Sequence, residues 1–163
     1  MPGGLLDTRM KKTILLIEDS KVQQHVSERI LHQAGHLVLF ADDGEEGLRL
    51  AQECVPDLVL LDLVLPGVSG EEVLFDLKRN RKTQRIPVVV LSQLPASNAT
   101  KLIAAGAASY FEKSRLNGGP GQADLLATID SVLRESEVAH AASEKHSPQR
   151  DHGQAPREAI RGK

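Results

Sequence analysis

The amino-acid sequence predicts a doubly wound α/β domain on a five-stranded parallel sheet, and three observations carry that prediction. Short apolar runs rich in Leu, Ile and Val alternate with stretches of helical spacing. Turn residues punctuate nearly every junction between the two kinds of segment. Two of the runs, Ile14-Leu15-Leu16-Ile17 and Leu58-Val59-Leu60-Leu61, end directly in carboxylates, Glu18-Asp19 and Asp62. Runs this short and apolar throughout read as strands buried on both faces of a parallel sheet.

The elements follow in order between Lys12 and Glu137. Thr13–Ile17 is the first strand. A helix from Val22 to Ala34 follows, with Ser20 as its N-cap, Val22, Val26, Ile30 and Leu31 at helical spacing, and Gly35 as its stop. Leu37–Phe40 is the second strand, Asp42-Asp43-Gly44 a turn, and Glu45–Glu53 the second helix. Pro56 opens the third strand, Asp57–Leu61, a position where proline is tolerated. The loop Pro66-Gly67-Val68-Ser69-Gly70 leads to a helix over Glu71–Lys78. Pro87 opens the fourth strand, Val88–Leu91; Pro95 shapes the entry to a fourth helix over Ser97–Ala105, which Gly106 ends. Ala108–Glu112 is the fifth strand. Asn117-Gly118-Gly119-Pro120-Gly121 reads as a turn, and Asp124–Glu137 as the fifth helix. Five βα units with short connections imply helices on both faces of the sheet.

Residues 1–11 read as a loose leader and 12–138 as the folded domain. Residues 139–163, poor in apolar side chains, read as a disordered tail with too little to bury against its ordering entropy. Its histidines, His140, His146 and His152, are too loosely spaced for a metal tract.

The chain of 163 residues has 20 Lys and Arg against 22 Asp and Glu, a net charge of −2. That balance and four aromatic residues, Phe40, Phe75, Phe111 and Tyr110, argue against direct nucleic-acid binding. The basic stretch Lys78, Arg79, Arg81, Lys82 and Arg85 therefore reads as a solvated loop. Cys54 is the only cysteine, so no intramolecular disulfide forms. No apolar run has membrane-spanning or signal-peptide length, and the expectation is a cytoplasmic protein. The P-loop and G-x-G-x-x-G patterns of nucleotide-binding enzymes are absent.

Parallel strands point their C-terminal ends at one edge, where ligands bind. Glu18, Asp19 and Asp62 gather there, and a hard cation such as Mg²⁺, which takes oxygen ligands, is the simplest compensation for their repulsion. The fourth strand brings Ser92 to the same edge, and the fifth brings Lys113. An ammonium can neutralise Asp62 or grip an anion held there, and a hydroxyl can donate to an oxyanion. Asp62 is a candidate nucleophile for aspartyl-phosphate chemistry.

The motifs in order are Ile17-Glu18-Asp19-Ser20, Leu60-Leu61-Asp62-Leu63, Leu65-Pro66-Gly67-Val68-Ser69-Gly70, Val90-Leu91-Ser92 and Ala107-Ala108-Ser109-Tyr110-Phe111-Glu112-Lys113. Over about Lys12 to Glu137 the chain resembles the receiver (CheY-like) domain of bacterial two-component response regulators. The resemblance implies a flavodoxin-like (βα)₅ fold. It implies Asp62 as phosphoacceptor, and Asp19, Asp62 and the Val64 backbone carbonyl as Mg²⁺ ligands, with Glu18 acting through water. It implies that Lys113 contacts the phosphoryl group, that Ser92 swings to it, and that Tyr110 is the aromatic switch. Ser114 follows Lys113 where many members have proline, and Gln93 follows Ser92 where a small residue is common.

The implied protein is a single-domain phosphoacceptor regulator, not an ordinary enzyme, that assists its own phosphorylation and dephosphorylation. A histidine kinase or phosphotransfer protein would supply the phosphoryl group. A downstream protein would bind the face made by the fourth helix, fifth strand and fifth helix, with the chain a monomer or weak dimer. The alternative is an adaptor of the same fold that works without phosphorylation.

Overall fold

The computed structural model describes residues 11–94 and 96–145; the leader up to residue 10, Pro95, His146 and His152 lie outside them. Five parallel strands, β1 (Thr13–Ile17), β2 (Leu37–Ala41), β3 (Leu58–Asp62), β4 (Val88–Ser92) and β5 (Ser109–Glu112), form one sheet in the order β2-β1-β3-β4-β5. The chain reverses direction across the sheet between β1 and β3, so a crevice opens between their C-terminal ends. Register places Ile17 beside Leu61 and Asp62 beside Leu91.

Helices α1 (Lys21–Gln33) and α5 (Gly119–Lys145) cover one face, packing Ile30, Leu31, Leu125 and Ile129 on Ile14, Leu16, Leu60 and Leu91. Helices α2 (Gly44–Cys54), α3 (Gly70–Arg79) and α4 (Ala99–Ala104) cover the other, packing Ala51, Val73, Leu74 and Leu102 on Leu15, Leu61 and Val90. Leucine, isoleucine and valine side chains buried this way stabilise by about 1.5–3 kcal/mol each. The alternation of strand residues between the two clusters follows from the period-two pleat, Leu15 and Ile17 to one face, Ile14 and Leu16 to the other.

Local chemistry sets the helix ends. Ser20 caps α1 through Gln23, Asp43 caps α2 through Glu46, and Ser69 and Glu72 form a capping box on α3. Gly35 takes the left-handed conformation (φ 88°) after α1, as expected at a helix stop. Gly70 is required by contact: a Cβ there would lie 2.4 Å from the Asp62 carbonyl oxygen, so only glycine lets α3 begin hard against the end of β3.

Four expectations need correction. The inward stripe of α1 is Gln24, Ser27, Ile30 and Leu31, while Val22 is exposed, because Gln24 satisfies the Glu18 carbonyl and Asp42 there. Ala96–Asn98 forms a 3₁₀ turn, so α4 is shorter than its apolar pattern suggests. Helix α5 starts at Gly119 rather than Asp124; proline is well suited to a first helical turn, where an N–H has no intrahelical acceptor. It also runs to Lys145, through the first residues of the stretch expected to be disordered. Ala139, Ala141 and Ala142, strong helix formers, favour that extension.

His36 ties the far end of the sheet together. It is buried, and its Nδ1 accepts the Lys12 backbone N–H at 3.2 Å. Burial lowers its pKa below the usual 6.5, against the opposing charges of Asp130 and Asp57. The unfolded chain therefore takes up a proton that the folded chain resists. Stability from this site is present above about pH 6.5 and is lost as pH falls through the lower folded value. Urea midpoints should fall between pH 7 and pH 5, and His36→Asn should flatten that dependence. An unchanged pH slope in the variant would refute the assignment.

Candidate functional site

The crevice between β1 and β3 holds Glu18 and Asp19 from the end of β1 and Asp62 from the end of β3. Carboxylate oxygens of the three lie within 4.8 Å of one another. Lys113, at the end of β5, reaches across with Nζ at 2.5 Å from Glu18 Oε2 and 2.9 Å from Asp62 Oδ2. Glu18, Asp62 and Lys113 are all buried, 2 %, 5 % and 7 % exposed. Charges so buried persist only when paired and hydrogen-bonded, and these are.

Burial pushes the Glu18 carboxyl up from its usual range, with the Asp62 charge in the same direction; the hydrogen bond and charge of Lys113 oppose both. The Ser20 N–H donates to Glu18 Oε1 at 3.2 Å, and the Val64 N–H donates to Asp62 Oδ1 at 3.2 Å. Asp19 is exposed, and its carboxylate makes no hydrogen bond or ion pair with any described residue. Two carboxylates held by a cation and one open to solvent, all from rigid strand ends, form an oxygen donor set of the kind Mg²⁺ takes.

Ser92 is 1 % exposed, and its Oγ accepts the Leu94 N–H at 3.0 Å. The Tyr110 hydroxyl donates to the Leu94 carbonyl. The backbone of one residue thus holds both side chains. Val64 and Leu94 are exposed apolar side chains on the loops beside Asp62 and Ser92. The expected Glu18, Asp19, Asp62, Ser92 and Lys113 all stand at the C-terminal edge of the sheet, with Tyr110 on β5, two strands from β3.

One positioning residue had no signal in the sequence. Gln24 Nε2 donates to the Glu18 carbonyl at 2.5 Å and to Asp42 Oδ1 at 2.6 Å, and Lys21 Nζ holds Asp42 Oδ1 at 2.8 Å. This fixes the backbone of the acidic pair to the β2–α2 loop. A glutamine on a helix carries no motif, and only the tertiary fold shows what it holds.

The response regulator receiver domain model matches residues 14–117, and the chain belongs to that family. It is 36 % identical over 127 residues to the transcriptional regulatory protein AfsQ1 of Streptomyces coelicolor, a match covering 77 % of this chain and 52 % of AfsQ1. It is 35 % identical over 79 residues to PilH of Pseudomonas aeruginosa, covering 48 % of this chain and 65 % of PilH. The matches thus span about half to two thirds of these relatives' lengths.

Among solved structures, a CheY-like receiver domain protein from Methanospirillum hungatei is similar with a TM-score of 0.69 and 26 % identity, over 80 % of this chain and 99 % of that one. The receiver domain of a sensor histidine kinase from Pseudomonas aeruginosa, with magnesium coordinated in its active-site cleft, gives 0.66 and 25 % over 76 % and 98 %. The Glu18, Asp19 and Asp62 carboxylates of this chain form a group that could hold a metal ion. No helix among the described residues is long and apolar enough to cross a membrane.

Asp19→Asn is expected to weaken Mg²⁺ binding at least tenfold, because it removes the open anionic ligand while Lys113 still occupies the other two. Titration calorimetry of the variant against the parent measures this. Equal affinities would place the ion elsewhere.

Proposed function

We propose that this receiver is phosphorylated on Asp62 by a histidine kinase or phosphotransfer protein, with Mg²⁺, and signals by phosphorylation-biased binding of another protein. The observation that carries the reading is the buried Glu18–Lys113–Asp62 bridge beside the open Asp19, with Ser92 on the adjoining strand. Asp62 supplies the attacking oxygen, and its new O–P bond forms as the donor's N–P bond breaks. Lys113 is placed to hold a phosphoryl oxygen as it leaves its bond to Asp62 Oδ2. Asp19, Asp62 and the Val64 carbonyl, with Glu18 behind, would hold Mg²⁺, which would supply positive charge against the phosphoryl oxygens.

Rotating the Ser92 side chain toward a phosphoryl group on Asp62 would disturb the bond it accepts from the Leu94 N–H. Leu94 is also the residue on which Tyr110 hangs, so the phosphoryl group would bias the face formed by α4, β5 and α5 if that face has a second arrangement. This supports Tyr110 as the switch and that face as the partner surface.

Incubation with a small phosphodonor and Mg²⁺, followed by intact mass, tests the reading. One added phosphoryl group in the parent and none in Asp62→Asn is the expected result. With beryllofluoride, amide shifts should extend from Ser92 to about Leu126. Phosphorylation without those shifts, or none at all, would favour the phosphorylation-independent adaptor.

A further inference from the structure

The edge of the sheet opposite the carboxylates carries a second concave surface. Two adjoining depressions of about 310 and 410 Å³ run beside the last turns of α5 and share Arg85, Pro87, Ser136 and His140 in their walls. Pro56, Ile86, Pro87 and Leu133 give the smaller one an apolar lining. Arg81, Lys82 and Arg85 rise along its α3–β4 side, all exposed. The other wall includes Ala139, His140 and Ser143, from the stretch of α5 that continues past the compact domain.

The charges here are unevenly satisfied. Lys12 is paired with Glu137 at 2.8 Å, and Asp57 accepts the Thr13 N–H at 2.8 Å. Glu135 lines the larger depression. Arg81, Lys82 and Arg85 form no ion pair with any described residue. The chain is slightly acidic overall, and its carboxylates Glu18, Asp19, Asp42, Asp43 and Asp62 collect at the other edge of the sheet. The molecule therefore has an acidic pole at Asp62, and at this cleft a wall of three cations with no ion pair among the described residues beside the acids of the other walls; such a wall selects and orients a partner segment of opposite sign.

We propose that this cleft docks an acidic polypeptide segment of a partner protein, with one apolar side chain of that segment seated on Pro56, Ile86, Pro87 and Leu133. Arg81, Lys82 and Arg85 receive its carboxylates. Both depressions are open to solvent, as a groove for a polypeptide must be. The apolar lining and the lack of aromatic side chains in the cleft favour a polypeptide over a nucleic-acid strand, which needs stacking platforms. The site is separate from Asp62 and independent of its phosphorylation.

The test places a photo-crosslinking amino acid at Ser136, which lines both depressions, in the full chain expressed in its own host. Crosslinked peptides are then sequenced by mass spectrometry. The expected crosslink is to a segment with an excess of Asp and Glu flanking an apolar residue. Its yield should fall at least about tenfold in Arg81→Glu with Arg85→Glu. Both arginines are exposed, so the double variant should keep the parent's urea midpoint, and a synthetic peptide of the captured sequence should bind the parent more weakly as salt rises. Capture of nucleic acid, lipid, a second copy of this chain or a neutral or basic segment would overturn the proposal. So would the absence of any crosslink, or a yield indifferent to the charge reversal.

Discussion

Lys113→Met should destabilise the metal-free protein by about 3–5 kcal/mol, and Mg²⁺ should restore more stability to the variant than it adds to the parent. The methionine keeps an unbranched apolar stem, one atom shorter, and removes the ammonium with its charge and donors. What remains is a cluster of three carboxylates with oxygens within 4.8 Å of one another, two of them buried. Removing one partner of a buried ion pair leaves an uncompensated charge, which is where the magnitude comes from. Burial already pushes the Glu18 carboxyl up, and Lys113 is the group that opposes it. Without that ammonium a divalent cation is the remaining counter-charge, so binding to the folded state becomes tighter and stabilises more at equal concentration. Urea unfolding at pH 7, with and without Mg²⁺, measures both quantities. A loss under about 1 kcal/mol, or equal stabilisation of parent and variant by Mg²⁺, would show that Lys113 does not hold the cluster together.

The phosphoryl group on Asp62 should decay slowly, and Val64→Asn with Leu94→Glu should speed the decay by about ten- to hundredfold. Hydrolysis requires a water in line with the phosphorus, opposite the Asp62 oxygen. Val64 and Leu94, two residues beyond Asp62 and Ser92, stand on the loops beside them, bonded through their N–H groups to Asp62 Oδ1 and Ser92 Oγ. Both are apolar and solvent-facing, 70 % and 45 % exposed. Neither can hydrogen-bond a water, and both can displace one. Positioning is most of what a protein contributes to phosphoryl transfer, so its loss lengthens the lifetime. The decay is followed after loading Asp62 and removing the donor. A parent that decays within seconds, or a double variant no faster than the parent, would refute the argument from these two side chains.

The strands and the chemistry at their ends were legible because both rest on local pattern. Leu58–Leu61 followed by Asp62 needs only the apolar run and the carboxylate behind it to be read as a buried strand presenting an acid. The cap at Ser20 and the stop at Gly35 were legible for the same reason. What escaped depends on partners distant in sequence. Val22 looked like core by spacing, yet Gln24 takes the inward position because the Glu18 carbonyl and Asp42 wait there. Lys78 looked solvated, yet its ammonium bonds the Ile86 carbonyl at 2.8 Å and burial lowers its pKa. Val55 ends α2 in the left-handed region at φ 43°, where glycine or asparagine would have announced a cap and a β-branched residue does not. The extent of α5 was missed at both ends, since Gly119-Pro120-Gly121 carries the composition of a turn and the exposed alanine-rich turns after Val138 carry no apolar period.

The strands β3 and β4 have every residue buried, and Asp62 and Ser92 are their last residues. Amides at the centre of such a sheet exchange with solvent only through the rarest openings of a domain, whereas short turns and exposed loops open far more readily. The carboxylate proposed to react is therefore mounted where opening should be rarest, while Leu94, which bonds Ser92 and Tyr110, is on an exposed loop. Under the proposed function, a chemical event at a fixed post would be read out by a compliant arm: the frame that defines the geometry of the reaction would not be the part that must move to report it.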